Sequence, residues 1–559
     1  MSADVTALAS QALILKALAL FAVIACTTRF ITGKNYSASP SSHGDTSRVA
    51  TYPYWIPYLG HLLPLMVNPA RFLQKCRQQS ADRVFALYLF GSKYNILWTP
   101  ASFNAIFKTP SDAISSVETR WYLLRNVFGA GTKCEKDYLR IHKSAHAAVQ
   151  NGLFPPTATP SSLMMQTTLR GIQENAPSLV SFSDSVVDQN LWERTAYPVI
   201  RGSAVEISLS TLIRNFIGHV SLPSLVGSEF LEVYPTTLDD LWHLDGGLKW
   251  LALGVPRWLG IPALTRAHIG RRRLLDTVRS FHQALDCVED DDPPNRPWRD
   301  PSDAGRILKE RRRVYRSRGT PQEIIAPLDL SLLWAMTTKS SYLVFWLLIS
   351  IWATPGLVDQ VRNEVGPYAT ARQPPRTFGI PEPPCLGLDT DGLVKSCPLL
   401  KACFYECIRL YSASISIRTV RKDMLFRGMD GNGVEISRYP LDAGSIIAAP
   451  FSLHHFDPNY FKDPNRFQPM RFLKPSEDGQ GQQTFVEGTI KHWGMGESAC
   501  PGREYAEKQV LAFVAGILAL WDFEPADAKG WIVPDQIERA VISVPAADVR
   551  VRIRPRELP

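Results

Sequence analysis

The run Trp493-Gly494-Met495-Gly496-Glu497-Ser498-Ala499-Cys500-Pro501-Gly502-Arg503 confines one thiol to a glycine-rich loop ahead of an apolar helical stretch. Gly494 and Gly496 permit a tight loop with its amides turned inward, and Pro501 suits the first position of the following helix, where no amide hydrogen is needed. A thiolate at that place gains from the positive end of the helix dipole. An isolated cysteine is usually a small buried packing residue. A thiol presented by such a loop is instead suited to bind iron.

Two further motifs lie upstream. Glu406-x-x-Arg409 sits in Tyr405-Glu406-Cys407-Ile408-Arg409, and Phe467-Gln468-Pro469-Met470-Arg471-Phe472 follows it. Glu406 and Arg409 are one helical turn apart and face the same way, so Arg471 can complete a buried carboxylate-guanidinium cluster. In this order and spacing the three motifs resemble the cytochrome P-450 family, whose haem-binding signature is aromatic-x-x-Gly-x-x-x-Cys-x-Gly, here with Trp493 in place of the usual phenylalanine. The resemblance implies a mainly α fold with minor β sheets and haem b (iron protoporphyrin IX) on an axial Cys500 thiolate. It also implies a cofactor loop containing Trp493, Gly494, Gly496 and Gly502, and a bracing role for Glu406, Arg409 and Arg471.

The 559 residues are 45% hydrophobic and can bury an extensive core. Length alone suggests roughly three or four domains. The resemblance implies instead one catalytic domain over 62–559, preceded by an anchor over 1–30 and a linker with a proline-rich hinge over 31–61. The net charge of +8 is small for this size, and the basic residues are scattered or in short clusters such as Arg271-Arg272-Arg273 and Arg311-Arg312-Arg313. Nucleic-acid binding is therefore not indicated. The nine cysteines are odd in number, and Cys403 and Cys407 lack the further ligands of a zinc site, which fits a reducing compartment.

Val5 to Cys26 is mostly apolar and long enough as a helix to span roughly 30 Å of hydrocarbon, with Lys16 in its middle. No basic segment precedes it and no clear cleavage site follows, which favours a signal anchor over a cleaved signal peptide or a core helix. Arg29, Lys34 and Arg48 follow while only Asp4 is charged before it, so the positive-inside rule expects a single-pass protein with its body in the cytosol. Tyr52 to His61 resembles the hinge of microsomal members, which implies the endoplasmic reticulum membrane. Beyond it, Arg83–Gly91 and Tyr94–Trp98 read as two strands followed by a short helix. Val288–Pro297 reads as an acidic, proline-rich surface loop, and Gln373–Cys385 as an irregular insertion.

Haem propionates require cationic or hydrogen-bond donors. By family position Arg418 is the first candidate, with His142 and Lys143 behind it on a segment where Tyr138 replaces the common tryptophan. Trp121-x-x-x-Arg125 matches the same pattern but precedes Phe128-Gly129-Ala130-Gly131, and reads as a decoy at the surface or along a substrate channel. Ser498 replaces the basic residue usual two positions before the thiolate.

The stretch Leu330–Trp346 is by order the helix crossing the distal haem face. Its family pattern supplies an acid and an alcohol, but here Thr338 and Lys339 occupy those positions. The spacing of Leu-Trp-Ala and Phe-Trp, with Ser-Ile-Arg-Thr at Arg418, resembles the subgroup of cholesterol 7-alpha-hydroxylase, sterol 12-alpha-hydroxylase and prostacyclin synthase. That subgroup spans two chemistries. One is monooxygenation of a lipophilic terpenoid, steroid or polyketide by O2 and electrons from NADPH-cytochrome P-450 reductase, with Thr338, Ser340 or a water relaying protons and Lys339 orienting substrate. Lys491, Arg503 and Lys508 are candidate reductase contacts. The other is rearrangement of an endoperoxide without reductase. A haem sensor, with Met336 as a second ligand, is the non-enzymatic alternative. Leu241-Trp242-His243 and Trp250–Leu253 are expected to line a substrate channel or to pack. The reading adopted is a membrane-anchored haem-thiolate monooxygenase.

Overall fold

Val84-Phe85-Ala86-Leu87 carries no polar alternation, the pattern of a strand covered on both faces. In the computed structural model Val84 and Ala86 enter one apolar cluster with Phe103, Ile106, Val420 and Ile447, while Phe85 and Leu87 enter another with Leu73, Trp98 and Leu453. The structure describes residues 2–37, 49–80, 84–154, 163–294, 296–375, 382–429, 434–476, 483–494, 496 and 499–558. Contacts cluster in two units. The smaller comprises Met1–Thr119, Ser414–Pro464 and Gly494–Ser498, and the larger comprises Arg120–Ala413, Asn465–Trp493 and Ala499–Pro559.

The smaller unit is built on a five-stranded sheet. Val84–Leu89 pairs antiparallel with Ser92–Leu97, which lies parallel to Ile446–Pro450; the latter pairs antiparallel with Ile415–Val420, which in turn pairs with Ile114–Ser115. The two expected strands and the following helix, Pro100–Lys108, are thus present. The first helix, Ser2–Ser37, runs past the expected anchor boundary at residue 30. Its last turns dock on the hinge: the Tyr54 amide donates to Thr32 Oγ1 at 3.2 Å, and Arg29 lies 5.7 Å from the Trp55 ring centroid. Ala12–Ser37 is long and apolar enough to cross a membrane, with mean hydropathy 1.9.

Helices dominate the larger unit. Its central helix, Gln322–Ala353, also passes the length and composition test for a membrane span, but 78% of the apolar window is buried in the protein. A helix apolar on all sides belongs in a core. Here it packs against Leu209–Ser221, Pro262–Glu289, Pro398–Tyr411 and Arg503–Leu520. Trp346 is fully buried, stacked on Tyr411 at 3.8 Å, with its Nε1 donating to the Ser543 carbonyl at 2.8 Å. Leu241 and Trp242 are buried in the same unit, and the Trp242 Nε1 donates to Asn215 Oδ1 at 3.0 Å.

Buried ionic clusters hold this unit, one around Glu406 and another around Asp329. Glu406 is fully buried and accepts two bonds from Arg409, both at 2.8 Å, one from Arg471 at 3.2 Å and one from the Gln468 amide at 2.9 Å. The expected cluster is therefore formed. The second was not foreseen. Asp329, inside the central helix, accepts from Arg311 at 2.6 Å and Tyr315 at 2.8 Å, and its other oxygen meets His282 Nε2 at 2.8 Å. Arg312 is buried too, paired with Asp286 and Glu289 at 2.7 and 3.0 Å, while Arg316 pairs with Asp290 at 2.9 Å. The start of the acidic Val288–Pro297 segment is thus tied to the next helix rather than only solvated. The edges of the 373–385 insertion pair as strands Ala369–Arg372 and Cys385–Leu388, with residues 376–381 outside the described set.

Burial alone raises the Asp329 pKa, but the Arg311 charge and the bonds from His282 and Tyr315 outweigh it and hold the carboxyl at about 2. A depressed carboxyl stabilises the fold above its unfolded value of about 3.9 and loses that contribution as pH falls towards the folded value. Asp329→Asn should cost about 3–5 kcal/mol at neutral pH by leaving Arg311 buried without its counter-charge. Denaturant unfolding of both proteins checks this. The difference should shrink between pH ~4 and ~2, and equal midpoints at pH 7 would contradict it.

Candidate functional site

The cysteine loop is closed by its own backbone. The Cys500 amide donates to the Trp493 carbonyl at 2.7 Å. Gly494 and Gly496 both take left-handed conformations, φ 69° and 58°, which a side chain would strain. A Cβ on Gly496 would also stand 3.2 Å from the Phe107 carbonyl oxygen, and one on Gly502 would stand 3.9 Å from Cys500 Sγ. Met495, Glu497 and Ser498 lie outside the described residues, so the Ser498 substitution has no structural account.

The helix following the loop starts at Arg503, with Gly502 as its cap and the Ala506 amide donating to the Gly502 carbonyl at 2.8 Å. Pro501 therefore sits in the turn ahead of the helix, a correction to its expected first helical position. The turn forms because the Arg503 amide reaches back to the Cys500 carbonyl at 3.4 Å. The Cys500 thiol is exposed, unlike Cys403 and Cys407, which are buried. The protein around it raises its pKa, opposed by the Gly502 amide.

His492, which the sequence reading passed over, supports the loop from behind. It is buried, its Nδ1 lies 2.5 Å from Ser412 Oγ, and its ring meets Trp493 edge-on at 4.8 Å. Burial, then the Arg503 charge, lowers its pKa to about 4, so it is neutral at pH 7. Its place beside the motif was the available signal.

On the central helix the proposed relay hydroxyls are already engaged. Thr338 Oγ1 donates to the Trp334 carbonyl at 2.8 Å, and Ser340 Oγ donates to Gln509 Oε1 at 2.7 Å. Gln509 Nε2 in turn donates to Ser221 Oγ at 2.8 Å. Both hydroxyls are buried, whereas Ala335 is exposed and Ser331 and Lys339 are half-buried along one stripe of the helix. Lys339 neither points into solvent nor stands free. Its Nζ donates to Asp245 Oδ1 at 2.9 Å and lies 4.0 Å from the Trp334 ring centroid.

Asp245 also accepts from Trp334 Nε1 at 2.9 Å and pairs with Arg539 at 3.2 Å. Burial acts to raise the Asp245 pKa, but the Lys339 and Arg539 charges outweigh it and hold it below the usual carboxylate range. Burial likewise lowers that of Lys339, against the pull of Asp245. No local pattern marks Asp245, whose partner Lys339 is 94 positions away in sequence.

The candidate propionate donors fall in different units. Arg418 lies in the smaller one, buried on the strand Ile415–Val420, with its guanidinium carbon 4.6 Å from the Phe107 ring centroid. His142 and Lys143 lie on the helix Glu135–Leu153 of the larger unit. Lys143 is exposed; His142 stacks on Tyr138 at 5.3 Å, and its Nε2 has no hydrogen-bond partner among the described residues. Trp121 also stacks on Tyr138, at 5.4 Å, and is buried, so it is not surface structure. Arg503 pairs with Glu487, and Lys508 with Asp391, each at 2.7 Å, which neutralises two of the three cations expected to meet a reductase.

Among the described residues no group of three or more His, Cys, Asp or Glu side chains is placed to hold a bare metal ion. A single accessible thiol suits a metal that brings its other ligands with it, as iron in a porphyrin does. The loop geometry fits that group.

A family model described as Cytochrome P450 matches residues 308–546, a span containing the central helix, Glu406, Arg409, Arg471 and Cys500. The chain is 23% identical over 506 residues to Cytochrome P450 monooxygenase poxD of Penicillium oxalicum, covering 86% of this chain and 88% of that protein. It is 23% identical over 489 residues to Cytochrome P450 7B1 of Mus musculus, covering 85% and 84%. To the 7-alpha-hydroxycholest-4-en-3-one 12-alpha-hydroxylase of Oryctolagus cuniculus it is 24% identical over 520 residues, covering 90% and 92%. Residues 308–546 thus carry a cytochrome P450 domain, the family that holds haem through a cysteine thiolate, and the relatives similar to the chain along most of its length are cytochrome P450s, monooxygenases among them.

Proposed function

We propose that this protein is a membrane-anchored monooxygenase in which Cys500 is the iron ligand, acting on a lipophilic substrate with O2 and electrons passed from NADPH by cytochrome P-450 reductase. The observation that carries the reading is the loop clasped by the 2.7 Å bond from the Cys500 amide to the Trp493 carbonyl, with an accessible thiol at its end. Bound there, haem supplies dioxygen activation and delivery of one oxygen atom to carbon.

The chain's own residues supply position and charge. Trp493 and the glycines at 494 and 496 fix the loop, and Gly502 leaves the sulfur uncovered. Arg418, with His142 and Lys143, is assigned to the propionates, whose carboxylates need such donors when buried. Because Thr338 and Ser340 are committed to Trp334 and Gln509, proton delivery falls to ordered water rather than to either hydroxyl. Lys339 Nζ holds its proton against Asp245 and borders the accessible stripe at Ala335, where it can orient a polar group of the substrate.

Three observations support that substrate class. The Ala12–Ser37 helix, with mean hydropathy 1.9, is suited to hold the protein beside lipid. The rabbit relative acts, by its name, on a sterol ketone, and the Penicillium relative is a fungal monooxygenase. A terpenoid, steroid or polyketide skeleton in natural-product biosynthesis is the reading adopted, with the body in the cytosol and the anchor in the endoplasmic reticulum membrane.

The direct test is incubation of the full chain in nanodiscs with candidate sterols and terpenoids under labelled oxygen. Incorporation of label that requires both reductase and NADPH is expected, and rearrangement of an endoperoxide without NADPH would contradict the reading. Cys500→Ser should abolish the reduced carbon-monoxide band that gives the family its name. Retention of the band would reject this ligand. Thr338→Val should leave turnover within about twofold of the original, whereas loss of a proton relay would lower it by about 100-fold or more.

A further inference from the structure

A cavity of about 360 Å³ opens on the larger unit, away from the cysteine loop in sequence and lined by Arg214, Arg266, Arg539, Asp239, Trp242 and His243 among others. Three guanidiniums therefore face one carboxylate. Arginine stays charged in proteins at any working pH, so this imbalance cannot be relieved by proton loss. Arg539 is matched by Asp245 at 3.2 Å, but Asp245 is matched in turn by Lys339 at 2.9 Å.

The other two guanidiniums have no such partner: neither Arg214 nor Arg266 has a carboxylate within 4.0 Å among the described residues. Arg214 Nε is moreover sealed from solvent without a hydrogen-bond partner among those residues. Its guanidinium is held over the Trp242 ring, 5.5 Å from the centroid, and so is placed before any ligand arrives. Arg539 is fixed by Asp245, and Arg266 projects, exposed, from the helix Pro262–Glu289.

We propose that this cavity binds a phosphate group, held by Arg214, Arg266 and Arg539. A dianion answers the excess of guanidiniums better than a singly charged carboxylate, and its three terminal oxygens suit the fork geometry of arginine. A phosphate monoester the size of glycerol phosphate fits the volume. Through the shared Arg539, occupancy is linked to Asp245 and so to Lys339 on the central helix. The proposal goes beyond the monooxygenase reading and does not depend on it.

The test is calorimetric titration of the full chain, in nanodiscs of phosphatidylcholine, with inorganic phosphate and glycerol 3-phosphate at matched ionic strength. A second set of discs carrying phosphatidic acid separates a lipid headgroup from a soluble ester: prior occupancy by the lipid should abolish the phosphate heat if the source is the membrane, and leave it intact if the ester is soluble. Arg266→Ala, at an exposed position, should weaken phosphate binding by about ten-fold with an unchanged melting temperature, and Arg214→Ala by at least as much. Absence of heat with phosphate in phosphatidylcholine discs, equal affinity in Arg266→Ala, or acetate binding as tightly as phosphate would each overturn the proposal.

Discussion

Glu406 is the carboxylate on which the cysteine side of the larger unit depends. It is fully buried, and its two oxygens meet Arg409, Arg471 and the Gln468 amide. A buried charge is tolerated only when every partner stays in place, so two separate pieces of chain, the helix Pro398–Tyr411 and the segment Gln468–Arg471, are held to one geometry. Two of the arginine's bonds come from within a single helical turn. The others fix the Gln468–Arg471 segment, from which the chain continues towards Trp493 and the loop. Anchoring of the chain upstream of the loop thus begins at Gln468 and Arg471.

The charge distribution of the rest follows the same economy of partners. Arg311-Arg312-Arg313 looks like a surface cluster in sequence, yet Arg311 serves the buried Asp329 and Arg312 serves Asp286 and Glu289. Lys339, inside the central helix, is neutralised by Asp245 rather than left to face solvent. Against that background of matched charge, Arg214 and Arg266 are conspicuous for facing a cavity unmatched.

Local patterns in the sequence foretold what local physics decides. The Glu406-x-x-Arg409 spacing named two side chains on one helix face, and their contact is made. The paired strands at Val84–Leu89 and Ser92–Leu97 followed from apolar runs around a turn, and a tight loop at Gly494 and Gly496 from its composition, both glycines proving left-handed. Patterns of this kind say which face a residue occupies, not what meets it there. Asp245 with Lys339, Gln509 with Ser340, and Asp329 with Arg311 are separated by many residues, and only tertiary packing joins them. The same limit applied to Pro501. Its fixed φ suits either a turn or a first helical position, and the backbone bond of Arg503 to the Cys500 carbonyl selects the turn.

The proposed chemistry rests on a bond between the sulfur of Cys500 and the iron of a bound porphyrin. X-ray absorption at the iron edge, on the purified haem-loaded chain, reports the atoms around that iron directly. One sulfur neighbour, absent from the spectrum of a haem-loaded chain lacking Cys500, is the predicted result. An iron surrounded by nitrogen and oxygen alone in the unaltered protein would contradict it.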